Sequence, residues 1–104
     1  MIYELDAPLL KIQHEPDTQL VEEKEYEFKC LSNSNPDAYL NSSMIYLAEN
    51  KKILSINGSL TLKMHKNLNG KTLICQNENS IGKSAINYTL NVHCKLFLYN
   101  TLYF

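Results

Sequence analysis

Along most of this chain apolar and polar residues alternate with a period of two, the signature of strands that bury one face. The clearest run lies between Ser59 and Val92. Leu60, Leu62 and Met64 alternate with polar residues, Thr72, Leu73 and Ile74 lead as an apolar, β-branched run into Cys75, and Ile86, Tyr88, Leu90 and Val92 alternate again. Between the last two runs, residues 76–82 are polar and end in a glycine. That composition predicts an antiparallel hairpin in which Gly82 supplies a positive φ.

Upstream the pattern is more broken. Residues 8–12 and 18–21 read as two short edge pieces separated by a bend at Pro16, because proline has no amide hydrogen to give to a ladder. The acidic stretch Glu22-Glu23-Lys24-Glu25 is a charged connector. Neighbouring carboxylates without apolar walls have little to shift their pKa values, so a solvated turn is expected here and not a catalytic pair. From Tyr26 to Leu31 alternation returns, with Tyr26, Phe28 and Cys30 on one face and Glu27 and Lys29 on the other. Residues 32–37 have the composition of a loop, residues 38–41 begin the next strand, and Met44–Leu47 continue it, with a turn of helix over 44–49 as the alternative. Ile53–Ile56 is a short strand, and Asn57-Gly58 predicts a hairpin leading into Leu60. Helical periodicity is nowhere needed, so the expected class is all-β. The last ten residues, Lys95–Phe104, are apolar and aromatic without a polar face and too short to cross a bilayer.

With 104 residues the chain is expected to form one domain with a modest core, for which a covalent cross-link matters. Its formal net charge is −1 and all ten basic side chains are lysines. The residue best suited to phosphates and guanine edges is therefore missing, and nucleic acid is not an expected partner. The N-terminus carries acids and a proline where a signal peptide has a basic start followed by an apolar block. Either the chain stays inside the cell or it is a piece of something longer. Three cysteines leave the redox state open: two pair in an oxidising compartment, and none does in the cytosol. Alternation turns Cys30 inward on its strand and Leu73 and Cys75 inward on theirs, the arrangement a sheet-to-sheet disulfide requires if the backbones come within reach.

Candidate chemistry is sparse. Sequons begin at Asn41, Asn57 and Asn87. Their number says little in a chain rich in asparagine, serine and threonine, but alternation places Asn41 and Asn87 outward and Asn57 at a hairpin tip. The pair His93-Cys94 invites a thiol-enzyme or metal reading. Adjacent residues diverge on a strand, however, and no second cysteine or histidine pair completes a tetrahedral site, so Cys94 is expected to be a free or intermolecular thiol. His14 and His65 fall in expected turns. No nucleophile elbow or phosphate loop is present, and no catalytic residue, metal or cofactor is expected.

In order, the pieces resemble an immunoglobulin-like domain of the C2-set or I-set type found in strings on cell-adhesion molecules and receptors. The resemblance is carried by Cys30, by Ser34-Asn35-Pro36 after it, by Ser59-Leu60-Thr61-Leu62, by Asn69-Gly70 leading to Cys75, by Asn79 and Gly82 in the following turn, and by Leu90-x-Val92. Ala7-Pro8 resembles a junction between consecutive domains and favours a piece of a longer protein. The likeness spans residues 7–93, leaving 94–104 as an apolar tail or the start of a next segment. The longer spacing from Gly70 to Cys75 is similar to that of nephrin-like and sidestep-like receptors. Two family features are missing: the tryptophan before the bridge, whose place falls to Ser42 or Met44, and the tyrosine two residues before the second cysteine, which is Leu73. Asn77 stands where the family has a small inward residue. The resemblance implies a two-sheet antiparallel β-sandwich with a Cys30–Cys75 bridge. It also implies a non-enzymatic, extracellular recognition module that binds protein partners and adjoins similar domains. Its rival is an intracellular scaffold-type domain of the same fold with reduced cysteines. The missing aromatics predict a thinner core that leans more on the disulfide.

Overall fold

A computed structural model of the protein describes residues 5–35 and 43–94. Its elements are β1 (Asp6–Glu15), β2 (Leu20–Val21), β3 (Glu25–Asn35), β4 (Met44–Leu47), β5 (Ile53–Ser55), β6 (Ser59–Lys63), a 3-10 turn (Lys66–Leu68), β7 (Thr72–Glu78), β8 (Lys83–Thr89) and β9 (Val92–His93). One sheet has the order β1-β3-β6 and the other β5-β4-β7-β8, with every neighbouring pair antiparallel. The short β2 pairs with β9 in parallel, which fastens the segment after β1 to the end of the chain's last described strand.

The expected alternation sets which faces meet. On β3, Tyr26 and Phe28 are buried, and on β7, Leu73, Cys75 and Asn77 are buried while the residues between them are half-buried. Leu10, Leu20, Ile45, Met64 and Leu90 complete the core from both sheets and the connections between them. Cys30 on β3 and Cys75 on β7 are bridged, with Cα atoms 6.3 Å apart. The protein is thus an all-β, immunoglobulin-like sandwich whose two sheets are joined by a single cystine.

Several local expectations are corrected. β3 runs on to Asn35, where a loop was expected from Ser32, because Ser32 and Asn33 pair with Leu10 and Leu9 of β1. Ladder pairing overrides the turn preference of serine and asparagine. β1 is correspondingly longer than residues 8–12, with a register irregularity between Asp6 and Leu9 that accommodates Pro8. The helical alternative over 44–49 gives way to β4, which is held on both sides by β5 and β7.

Both predicted glycine turns work differently from expectation. Asn57-Gly58 closes no hairpin: β5 belongs to one sheet and β6 to the other, so the turn carries the chain across the sandwich. Gly58 has φ +81°, and a Cβ there would stand 2.7 Å from Ser43 Oγ. Its carbonyl accepts from the Cys30 amide at 2.8 Å, tying the crossing to the cystine strand. The β7–β8 hairpin does form, but positive φ among the described glycines is confined to Gly58 and Gly70. Buried Asn79 shapes that turn instead, its Oδ1 accepting from the Ile81 and Gly82 amides at 2.9 and 3.1 Å. Finally, Leu90 lies outside any strand. Its amide donates to the Lys71 carbonyl and its carbonyl accepts from Gly70, both at 2.8 Å, so the chain leaves β8 at Thr89 before β9 takes up β2 as a new partner. The expectations for residues 38–41 and 95–104 lie outside the described residues.

Candidate functional site

The cystine joins β3 of one sheet to β7 of the other. Ile45 on β4 lies directly opposite Cys75 and is fully buried. It therefore takes the inward position beside the bridge that Met44 or Ser42 was expected to fill. Met44 pairs with Gln76 on the half-buried outer face, and Ser42 lies outside the described residues. The phase of a short strand is fixed by its partner's register, and a one-residue shift exchanges the two faces.

A second inner feature was not anticipated. His14, expected in a solvated turn, lies on β1 and points inward, its ring 5.8 Å from Tyr26, 5.4 Å from Phe28 and 5.8 Å from Tyr88. Its Nδ1 is 2.9 Å from the Pro16 carbonyl. The alternation Leu10, Ile12, His14 was available in the sequence as its signal, but Pro16 suggested an earlier end to the strand. Burial raises the Tyr88 phenol above its ordinary pKa. Tyr26 is itself 1% exposed, and its hydroxyl accepts from the Val21 amide at 2.9 Å and donates to the Gln19 carbonyl at 2.8 Å. A buried tyrosine thus anchors the segment before β2, and it comes from β3, not from the position of Leu73.

The outer surfaces carry the remaining candidates. Asn87 is exposed on β8, with Thr89 on the same outward face. Register places Asn87 opposite Ile74, Ile74 opposite Tyr46, and Tyr46 opposite Ile53, so these four side chains form one row across the outer face of the four-stranded sheet. Ile53 is 54% exposed, while Tyr46 and Ile74 are half-buried. Consecutive apolar residues at Leu73-Ile74 and Ile45-Tyr46 signalled that both faces of these strands carry apolar surface, but only the ladder aligns them. Asn57 is exposed in the crossing turn, where its Oδ1 accepts from Ser55 Oγ at 2.9 Å and from the Ser59 amide at 3.0 Å. It stands beside a groove of about 320 Å³ that Ile53 and Ile56 also line. Asn41 lies outside the described residues.

His93 is half-buried on β9 and Cys94 is exposed, its Sγ 3.8 Å from Glu22 Oε1. Among the described residues no group of three or more histidine, cysteine, aspartate or glutamate side chains is placed to hold a metal ion. His65 is exposed in the connection before the 3-10 turn. Glu23, in the charged connector, forms a surface ion pair with Lys63 at 3.4 Å.

Fold and cystine define the class as an immunoglobulin-like sandwich domain. No family model matches the chain, and no curated protein matches it.

Proposed function

We propose that this domain is a non-enzymatic recognition module of a larger extracellular adhesion molecule or receptor, binding a protein partner through its sheet faces or loops and adjoining similar domains. The observation that carries this reading is the Cys30–Cys75 bridge between the sheets. Cystines of this structural kind persist in oxidising compartments and are rare in the cytosol. Exposed sequons at Asn57 and Asn87 fit the same compartment. For the binding surface, the outer face of the three-stranded sheet offers Leu9, 74% exposed, diagonally beside Leu31, 42% exposed. Apolar side chains displayed together on an outward face suit a protein contact.

The test begins with the intact mass of the protein taken from its natural source under non-reducing conditions. Loss of two hydrogens together with added sugar mass is expected. Fully reduced cysteines without sugar would refute the extracellular reading in favour of an intracellular scaffold. A purified multimer of the chain should then stain cells in a way that protease treatment of those cells removes, and Leu9→Asp with Leu31→Asp should abolish the staining.

A further inference from the structure

We infer that the outer face of the β5-β4-β7-β8 sheet is a seat for the domain's own sugar: an N-linked glycan on Asn87 lies along Ile74 and Tyr46 and closes this face to protein partners. The inference rests on the extracellular reading and goes beyond it by assigning the face an occupant. Asn87, Ile74, Tyr46 and Ile53 occupy one row, each directly opposite the next on the neighbouring strand. Directly opposed side chains have Cβ atoms about 5 Å apart, so Tyr46 lies about 10 Å from Asn87 across the sheet. The first sugars attached to Asn87 reach that far.

An N-acetylhexosamine presents a face of C–H bonds and an acetyl methyl group, which suit the apolar side of a tyrosine ring and a branched aliphatic chain. Its hydroxyls remain in water, and its polar edges meet Gln76 and Thr72, the outward neighbours of Ile74 along β7. A free protein partner needs roughly 800 Å² of surface on each side. A tethered sugar needs no such area, because its effective concentration is already high, so one row of four side chains suffices to seat it. Attachment is also compatible with the fold. Asn87 and Thr89 both point outward, so the bond from Asn87 Nδ2 to the anomeric carbon displaces nothing of the core. In that reaction Nδ2 loses one proton and displaces a lipid diphosphate from a lipid-linked oligosaccharide, the donor that the secretory pathway supplies.

The experiment is secretion of the full chain behind a signal sequence from a eukaryotic cell, followed by peptide mapping of Asn87 and nuclear Overhauser measurements. Sugar at Asn87 with Overhauser contacts from its acetyl methyl to the Tyr46 ring and Ile74 methyls is expected. Radical labelling of Tyr46 should rise several-fold in Asn87→Gln and equally in Thr89→Ala, which removes the sequon but keeps the asparagine. A formed cystine with Asn87 empty, or an occupied Asn87 whose sugar makes no contact with the sheet, overturns the inference and leaves the extracellular reading standing. So does a protein partner that protects Tyr46 in the glycosylated chain. Reduced cysteines in the naturally produced protein overturn both.

Discussion

Removing the cross-link is the perturbation that bears most directly on how this sandwich holds together. The bridge spans a sequence separation of 45 residues. On the chain-entropy relation, closing a loop of that length restricts the unfolded ensemble by about 4 kcal/mol at 25 °C. The whole stability of a small domain is typically about 5–15 kcal/mol, so the bridge alone decides whether the fold has a comfortable margin. The assay is urea unfolding of a Cys94→Ser background, in which the exposed third thiol can no longer exchange, compared before and after reduction with the thiols then blocked by a small alkylating group. With a slope of about 1–3 kcal/mol per molar urea, a loss of 4 kcal/mol lowers the midpoint by roughly 1.3–4 M. The slope itself should steepen, because the unfolded chain without its loop exposes more surface.

Blocked thiols add a steric term of their own at Cys75, which has no exposed surface. Cys30→Ala with Cys75→Ala therefore serves as the control, since it removes the bond and the sulfurs together and leaves at most a small void, at an added cost on the order of 1 kcal/mol. If the oxidised chain and the double alanine variant unfold at the same urea concentration with the same slope, the reasoning from loop closure is wrong for this domain.

Other substitutions separate the remaining contributions. Tyr26→Phe leaves the Val21 amide and the Gln19 carbonyl without the hydroxyl they share, and should cost about 1–3 kcal/mol with faster hydrogen exchange at Val21. Asn79→Ala deprives the Ile81 and Gly82 amides of their acceptor, and a loss of about 1–3 kcal/mol is expected in thermal unfolding; no change would show that the turn holds without it. Ile45→Ala opens a cavity beside Cys75 and should cost about 2–5 kcal/mol by urea unfolding. Burial raises the folded-state pKa of Tyr88 above the roughly 10 of a free tyrosine, so the folded state favours the protonated phenol. That contribution is fully present below pH ~10 and is lost as pH rises through the folded value; Tyr88→Phe should flatten the alkaline limb of the stability profile, and identical limbs would refute the assignment.

How far the sequence led depended on whether a feature is local. Alternation alone identified the inward faces of β3 and β7, because Tyr26, Phe28, Leu73 and Cys75 each bury against whatever lies opposite. The glycine turns were less transparent. Asn57-Gly58 is a hairpin signal in isolation, and only the assignment of β5 and β6 to different sheets turns it into a crossing. The backbone role expected of Gly82 is performed by the side chain of Asn79 at the first position of the turn, since an asparagine that accepts two amides shapes a turn without positive φ. Likewise the position beside the cystine depended on a register that no single strand contains. The outer row at Ile53, Tyr46, Ile74 and Asn87 was invisible for the same reason, as it is a property of four strands aligned and of none alone.

The inner face of β7 explains why the cystine stands where it does. Reading along the strand, buried Leu73 and Cys75 are followed by buried Asn77 and, past the strand end, buried Asn79. The first pair joins the core with Phe28 and Ile45 and so contributes transfer free energy from apolar burial. The asparagines contribute none. Asn77 Oδ1 accepts from the Glu78 amide at 2.8 Å and Asn79 from the turn amides, bonds that shape β7 and its turn. Toward the β7–β8 turn the inward positions of β7 thus change from apolar to polar, and Cys75 is the last apolar inward residue on that strand. A covalent bond at that boundary fixes the separation of the sheets where the apolar inward run of β7 ends. On β4 the place opposite Cys75 is filled by the single branched side chain of Ile45 and not by a large aromatic, which shifts more of the burden onto the sulfur pair.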